Sequence, residues 1–141
     1  LRVFFDADVL ISAATPESPV SAAHILVQLS ALTLVDGVTT PYARDQAERN
    51  IKKKLPGALR DFHELLENAV RVVSDVSQKE LSDFAGYAEE QDIPILAGAM
   101  LHHCRFLVTR NVSDYYKTPK KLEVIGPGDL VKLAREALLH L

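Results

Sequence analysis

Two short runs in this 141-residue chain, Val3-Phe4-Phe5 and Phe106-Leu107-Val108, are apolar at every position and stop at a polar residue, Asp6 and Thr109 respectively. A strand with one solvated face alternates apolar and polar side chains. An unbroken apolar run therefore belongs in the middle of a sheet covered on both faces. The stretches between such runs carry helical spacing. Ala22, Ile25, Leu26 and Leu29 mark a first helix after the turn-prone Thr15-Pro16-Glu17-Ser18-Pro19. A strand is predicted over 32–39, around Leu34, Val35 and Val38. Thr40 then caps a helix opening with Pro41, whose missing N–H costs nothing at that position, with Ala43, Ala47, Ile51 and Leu55 as its inner stripe.

That helix stops near Pro56-Gly57. Ala58, Phe62, Leu65, Leu66 and Ala69 give the next, followed by a short strand over 70–73, and Leu81, Phe84, Ala85 and Ala88 give another amphipathic helix. Leu96, Ala99, Met100 and His103 form the apolar face of a helix entered from Asp92. Val124-Ile125 is the last strand, Gly126-Pro127-Gly128 a turn, and Leu130, Ala134, Ala137, Leu138 and Leu141 the inner face of a terminal helix. Strands alternating with helices require right-handed crossovers. The expected fold is a three-layer α/β/α sandwich around a central parallel sheet of about five strands. Ligands bind such sheets at the carboxyl edge, where Asp6 and the turn from Thr109 to Asp114 both fall.

The length suits one domain over 1–141, without repeat or linker, and 48% hydrophobic with 25% charged residues is a globular composition. One cysteine, Cys104, is too few for an internal disulfide or a zinc framework, so a reducing cytoplasm is expected. No apolar run reaches the roughly 18 to 20 residues of a membrane span, and no basic leader opens the chain, so neither secretion nor membrane insertion is expected. Residue 1 is Leu rather than Met, so a trimmed start is expected. A net charge of −3 argues against coating nucleic acid by positive charge alone. It does not exclude an enzyme acting on nucleic acid. Arg49, Lys52, Lys53 and Lys54 form a local basic run suited to phosphates, as do Lys117, Lys120 and Lys121; a solvated helix end and loop is the plainer reading of each.

Asp6 projects from the end of a buried strand, where a carboxylate is costly unless a cation or hydrogen-bond donors compensate, and it also suits a turn cap. Asp8 is placed to turn back to the same edge. Glu48 lies beside the inner stripe of its helix, with an ion pair to Lys52 as the structural alternative. Asp92, before Ile93-Pro94, stands where a helix N-cap accepts backbone N–H groups for about 1 kcal/mol, which leaves its second oxygen for a cation. Asn111 and Asp114 fit either a tight turn or a ligand set. Three or four oxygen ligands suit Mg²⁺ or Mn²⁺, ions that support phosphodiester hydrolysis. No Ser-His-Asp arrangement, phosphate-binding loop or zinc-protease helix is present. The adjacent His102 and His103 read as one core and one surface residue.

With these residues in place, the chain resembles a PIN domain, the fold of many metal-dependent ribonucleases, including VapC-type toxins of toxin–antitoxin systems. Residues 3–11 resemble the opening strand and first catalytic acid, Glu48-Arg49-Asn50-Ile51 the helix with the conserved Glu, residues 92–99 the third acidic motif, and 107–115 the fourth. The resemblance implies Asp6, Glu48, Asp92 and Asp114 as catalytic residues, and these with Asn111 as ligands of Mg²⁺ or Mn²⁺. It also implies an RNA substrate, which the basic run of Arg49 and Lys52 to Lys54 is placed to steer, an antitoxin partner and a homodimer. Two departures stand out: Asp8 occupies a position often held by Asn, and Asn111 one often held by Asp, with Asp114 nearby to bring the charge. Two rival readings remain. One is a PIN-fold binding module without catalysis. The other is a haloacid dehalogenase-like phosphatase with Asp6 as nucleophile and Asp8 as acid, which lacks a second acid close behind Asp129.

Overall fold

The computed structural model describes residues 1–15 and 21–140. Five strands, β1 (Arg2–Phe5), β2 (Asp36–Thr39), β3 (Arg71–Val72), β4 (Phe106–Val108) and β5 (Glu123–Ile125), form one sheet in the order β3-β2-β1-β4-β5. Every pairing is parallel, with Val3 opposite Gly37 on one side and Phe106 on the other. Among the described residues seven α-helices accompany the strands, the last of them after β5: α1 (Ala7–Ala14), α2 (Ala22–Ala31), α3 (Pro41–Lys54), α4 (Leu59–Asn68), α5 (Gln78–Leu81), α6 (Ile93–Leu101) and α7 (Pro127–Leu139).

The apolar runs are buried on both faces, as their lack of alternation requires. Val3 and Phe5 point to one side, into a core with Val9 and Leu10 of α1, Leu26 of α2, Ile51 of α3, Phe62 of α4 and Leu130 of α7. Phe4 points to the other, where it meets Val38, Leu107 and the α6 residues Ile95, Leu96 and Ala99. Full burial of Phe4 and Phe5 contributes about 1.5–3 kcal/mol each. The result is a three-layer α/β/α sandwich with a five-stranded parallel sheet, as the alternation of elements predicts.

Several local expectations differ from the structure. The first helix is α1, directly after Asp6, and the predicted helix from Ala22 is the second. The predicted strand over 32–39 is confined to Asp36–Thr39, because the chain before it finishes α2. There the Leu32 N–H donates to Gln28, Thr33 takes φ +59° and the Leu34 N–H donates to Leu29. The helix expected across Leu81 to Ala88 is instead the four-residue α5, held by a reciprocal Ser77–Glu80 cap, then a 3₁₀ turn at Ser82–Phe84. A turn with Gly86 at φ +81° follows, and Ala88 pairs antiparallel with Tyr115. His103 lies beyond the α6 C-terminus in left-handed backbone and is exposed, and the His102 ring bonds the Ser74 carbonyl at 2.8 Å, so neither histidine is core. Gly126-Pro127-Gly128 is not a free turn, since Pro127 opens α7. Leu130 is buried beneath α7, whereas Ala137 is exposed. The turn expected at Pro16 to Pro19, Leu141 and the Leu138 side chain lie outside the described residues.

Candidate metal centre

In the strand order, β1, β2 and β3 run outward to one side and β4 and β5 to the other, so the chain reverses direction between β1 and β4. At such a switch point the loops leaving the carboxyl ends diverge and open a crevice. Asp6 leaves β1 and Thr109 leaves β4 on its two banks.

Asp6 is buried and caps α1: its Oδ1 accepts the Ala7 N–H at 2.6 Å, while Oδ2 accepts the Tyr115 hydroxyl at 3.0 Å. Burial, followed by the charge of Asp8, pushes its carboxyl up from 3.8 to about 7, and bonds from Thr109, Ala7 and Tyr115 offset only part of this. Asp8 stands in the first turn of α1. Its Oδ2 accepts three hydrogen bonds, from the Thr109 hydroxyl at 3.3 Å, the Arg110 N–H at 3.0 Å and the Asn111 side-chain amide at 2.9 Å. Its Oδ1 is buried with no partner. Desolvation raises the Asp8 carboxyl as well.

Asp92 occupies the N-cap position of α6, yet its side chain accepts no capping hydrogen bond. The expected capping role is therefore not taken up. Burial first, then the charges of Asp114, Asp8 and Glu89, lift its carboxyl to about 6. Asp114 ends a 3₁₀ turn, Val112–Asp114, whose position is fixed by the Glu89 N–H donating to the Asp114 carbonyl at 2.9 Å. Tyr42, in the first turn of α3, donates its hydroxyl to the carbonyl of Gln91 at 2.8 Å and so anchors the residue before Asp92. Burial, then the charges of Asp92 and Asp6, raise the Tyr42 phenol, with Arg49 pulling the other way.

Asp6, Asp8, Asp92 and Asp114 thus form one mutually repelling acidic group. The structure does not bring Glu48 to them. Its Oε1 meets His63 of α4 at 3.1 Å and Lys52 at 3.5 Å, and the His63 bond is the first cause holding its carboxyl below the usual range. At 100° per residue Glu48 lies about 120° around α3 from Tyr42, whereas Arg49 lies within about 20° of it. Lys53 and Lys54 are exposed at the end of α3. Tyr115 and Tyr42 are the site residues that sequence reasoning missed. A buried-type tyrosine next to an acidic turn was the available signal for the first.

A family model described as PIN domain matches residues 2–113. The chain belongs to the PIN domain family. No curated protein matches its sequence. Among solved structures, the chain is similar to one in the crystal structure of VapBC2 from Rickettsia felis bound to a DNA fragment from their promoter. The TM-score is 0.65 and the identity 12%, covering 89% of this chain and 98% of that one. It is also similar to VapC20 of Mycobacterium tuberculosis, described as a sarcin-ricin loop cleaving toxin, at TM-score 0.52 and 12% identity, covering 74% and 86%. At such identity these likenesses bear on the fold.

PIN domains are associated with divalent metal, and the acidic group suits one. All its donors are hard oxygens, and the buried Oδ1 of Asp8 has no hydrogen-bond partner, which leaves it open to a cation. Among the described residues no group of three or more His, Cys, Asp or Glu side chains is arranged to hold a metal ion as it stands. Among the same residues no helix is long and apolar enough to cross a membrane.

Proposed function

We propose that this PIN domain is a metal-dependent endoribonuclease and the toxin of a toxin–antitoxin pair. The observation that carries the reading is the group of carboxylates at the β1–β4 switch point, raised by burial and by one another, within a PIN fold. Asp6, Asp92 and Asp114 would hold Mg²⁺ or Mn²⁺. When bound, such an ion lowers the pKa of water and neutralises charge on a phosphodiester as it is cleaved.

The chain's own residues prepare that chemistry. Tyr115 and the Ala7 N–H fix both oxygens of Asp6, so the carboxylate reaches the crevice in one orientation. Tyr42 sets the approach to Asp92 through Gln91, and Arg49 brings a positive charge to the same bank for phosphate. Lys53 and Lys54 extend that charge along α3. Glu48 belongs to this reading only as the partner of His63 and Lys52, and Asn111 only through its contact with Asp8.

RNA as substrate draws on the sarcin-ricin loop cleaving toxin among the structural neighbours, and an antitoxin partner on the VapBC2 structure. A homodimer in the cytoplasm completes the proposal. The direct test incubates an RNA panel with Mn²⁺ and compares wild type with Asp6→Asn. Cleavage should require the ion and fall in the variant by more than the roughly 10- to 100-fold that loss of an outer-shell partner costs. Equal cleavage by both proteins would mean a contaminating nuclease and end the proposal. The engagement of Glu48 elsewhere favours, as a second reading, a PIN-fold binding module; a wild type that ignores millimolar Mn²⁺ supports it.

A further inference from the structure

Asn111 does not stand apart as a ligand of its own. Its Nδ2 donates to Asp8 Oδ2 at 2.9 Å, across 103 positions of sequence. The same oxygen also takes the Arg110 N–H and the Thr109 hydroxyl, so the turn after β4 closes on one oxygen of one carboxylate. Thr109 holds the turn in shape by accepting the Asn111 N–H at 3.1 Å. The other oxygen, Oδ1, is buried and receives nothing. Three donors on Oδ2 fix the plane of the carboxylate, and with it the direction of Oδ1.

We infer that Asp8 supplies the additional charged ligand of the metal site through Oδ1, and that Asn111 is a positioning residue acting through Asp8 rather than a ligand. This rests on the nuclease reading and refines its ligand set. The two positions at which the chain departs from the PIN resemblance are therefore in direct contact. Together they hold one carboxylate and one amide, and exchanging the two side chains preserves that sum. Either arrangement keeps the charge of the site and one N–H···O bond between the two positions.

Mn²⁺ binding, followed by the electron paramagnetic resonance signal of free ion, reads this without reference to activity. Asp8→Asn should weaken binding at least tenfold. Asn111→Ala, which removes one of the three donors holding the carboxylate but leaves its charge, should weaken it less, by roughly threefold. The double exchange D8N/N111D, which restores both the charge and the hydrogen bond of the pair, should recover affinity to within about threefold of wild type. Unchanged Mn²⁺ affinity in Asp8→Asn, or a double exchange no better than Asp8→Asn alone, overturns the inference while leaving the metal reading intact. A wild type that binds no Mn²⁺ at millimolar concentration overturns both.

Discussion

At the scale of single residues, Asp6 carries the largest electrostatic cost in the crevice. Its carboxyl titrates at about 7 in the folded chain against an ordinary 3.8, chiefly through burial. A folded-state value above the unfolded one means that the native protein binds the proton more tightly. The resulting stability is complete below about pH 3.8 and is lost as pH rises through about 7. Asp92, lifted to about 6, adds the same sign over a lower window. Metal-free protein should accordingly lose thermal stability across this range, and Asp6→Asn should flatten the decline, as measured by differential scanning calorimetry at several pH values. Identical slopes for the two proteins would remove Asp6 as the cause. Asp6 was legible in the sequence because an acid ending an apolar run has few other places to be. Its partner Tyr115 was not, being 109 positions away. On α3, Ala43, Ala47 and Ile51 form the inner stripe as expected, whereas Leu55, the fourth expected member, is exposed beyond the helix end. They left Glu48 on one flank and Tyr42 and Arg49 on the other, and no pattern in the helix itself says which flank meets the sheet edge.

Among the elements, the approach of α2 to β2 is the tightest contact that a small residue makes possible. A Cβ built on Gly37 would lie 2.3 Å from the Ser30 hydroxyl and 2.5 Å from the Phe5 ring. Ser30 uses that closeness: its hydroxyl accepts the Gly37 N–H and donates to the Ala69 carbonyl, stitching helix, strand and the end of α4 together. Gly37→Ala should therefore cost about 1–3 kcal/mol of stability, as forced overpacking does, read from urea unfolding. A loss below about 0.5 kcal/mol would show that Phe5 and Ser30 yield freely. The strong signals in the sequence were local ones. Thr40-Pro41 opens α3 as expected, with the Thr40 side chain accepting the Ala43 N–H, and Phe106-Leu107-Val108 is β4 to the residue. Elements set by tertiary contact were less visible. In α1, Val9 and Ile11 read as strand-forming residues, yet Asp6 caps a helix there and Val9, Leu10 and Ala13 bury against the sheet. The chain between α5 and α6 gave up a helix so that Ala88 could pair with Tyr115, which brings Glu89 and Asp92 toward the acids.

For the molecule as a whole, a net charge of −3 has to be reconciled with a polyanionic substrate. The acids and bases are segregated. Asp6, Asp8, Asp92 and Asp114 gather where β1 and β4 end, and a bound cation would offset them locally. Arg49, Lys53 and Lys54 lie along α3, which begins at that same edge with Tyr42 and runs outward. Lys52 is partly neutralised by Glu48, so the contribution of Lys53 and Lys54 to binding is easier to isolate. Each phosphate neutralised on a single strand adds roughly 0.7 to the slope of log affinity against log salt concentration. Replacing Lys53 and Lys54 with alanine should then flatten the salt dependence of RNA binding by roughly 1.4, measured by fluorescence anisotropy with the uncleaving Asp6→Asn protein as background. Both lysines are exposed, so the fold should be indifferent to their loss. An unchanged slope would return them to the solvated face of the helix and leave Arg49, beside Tyr42, and Arg110, beside Asp8, as positive charges at the crevice.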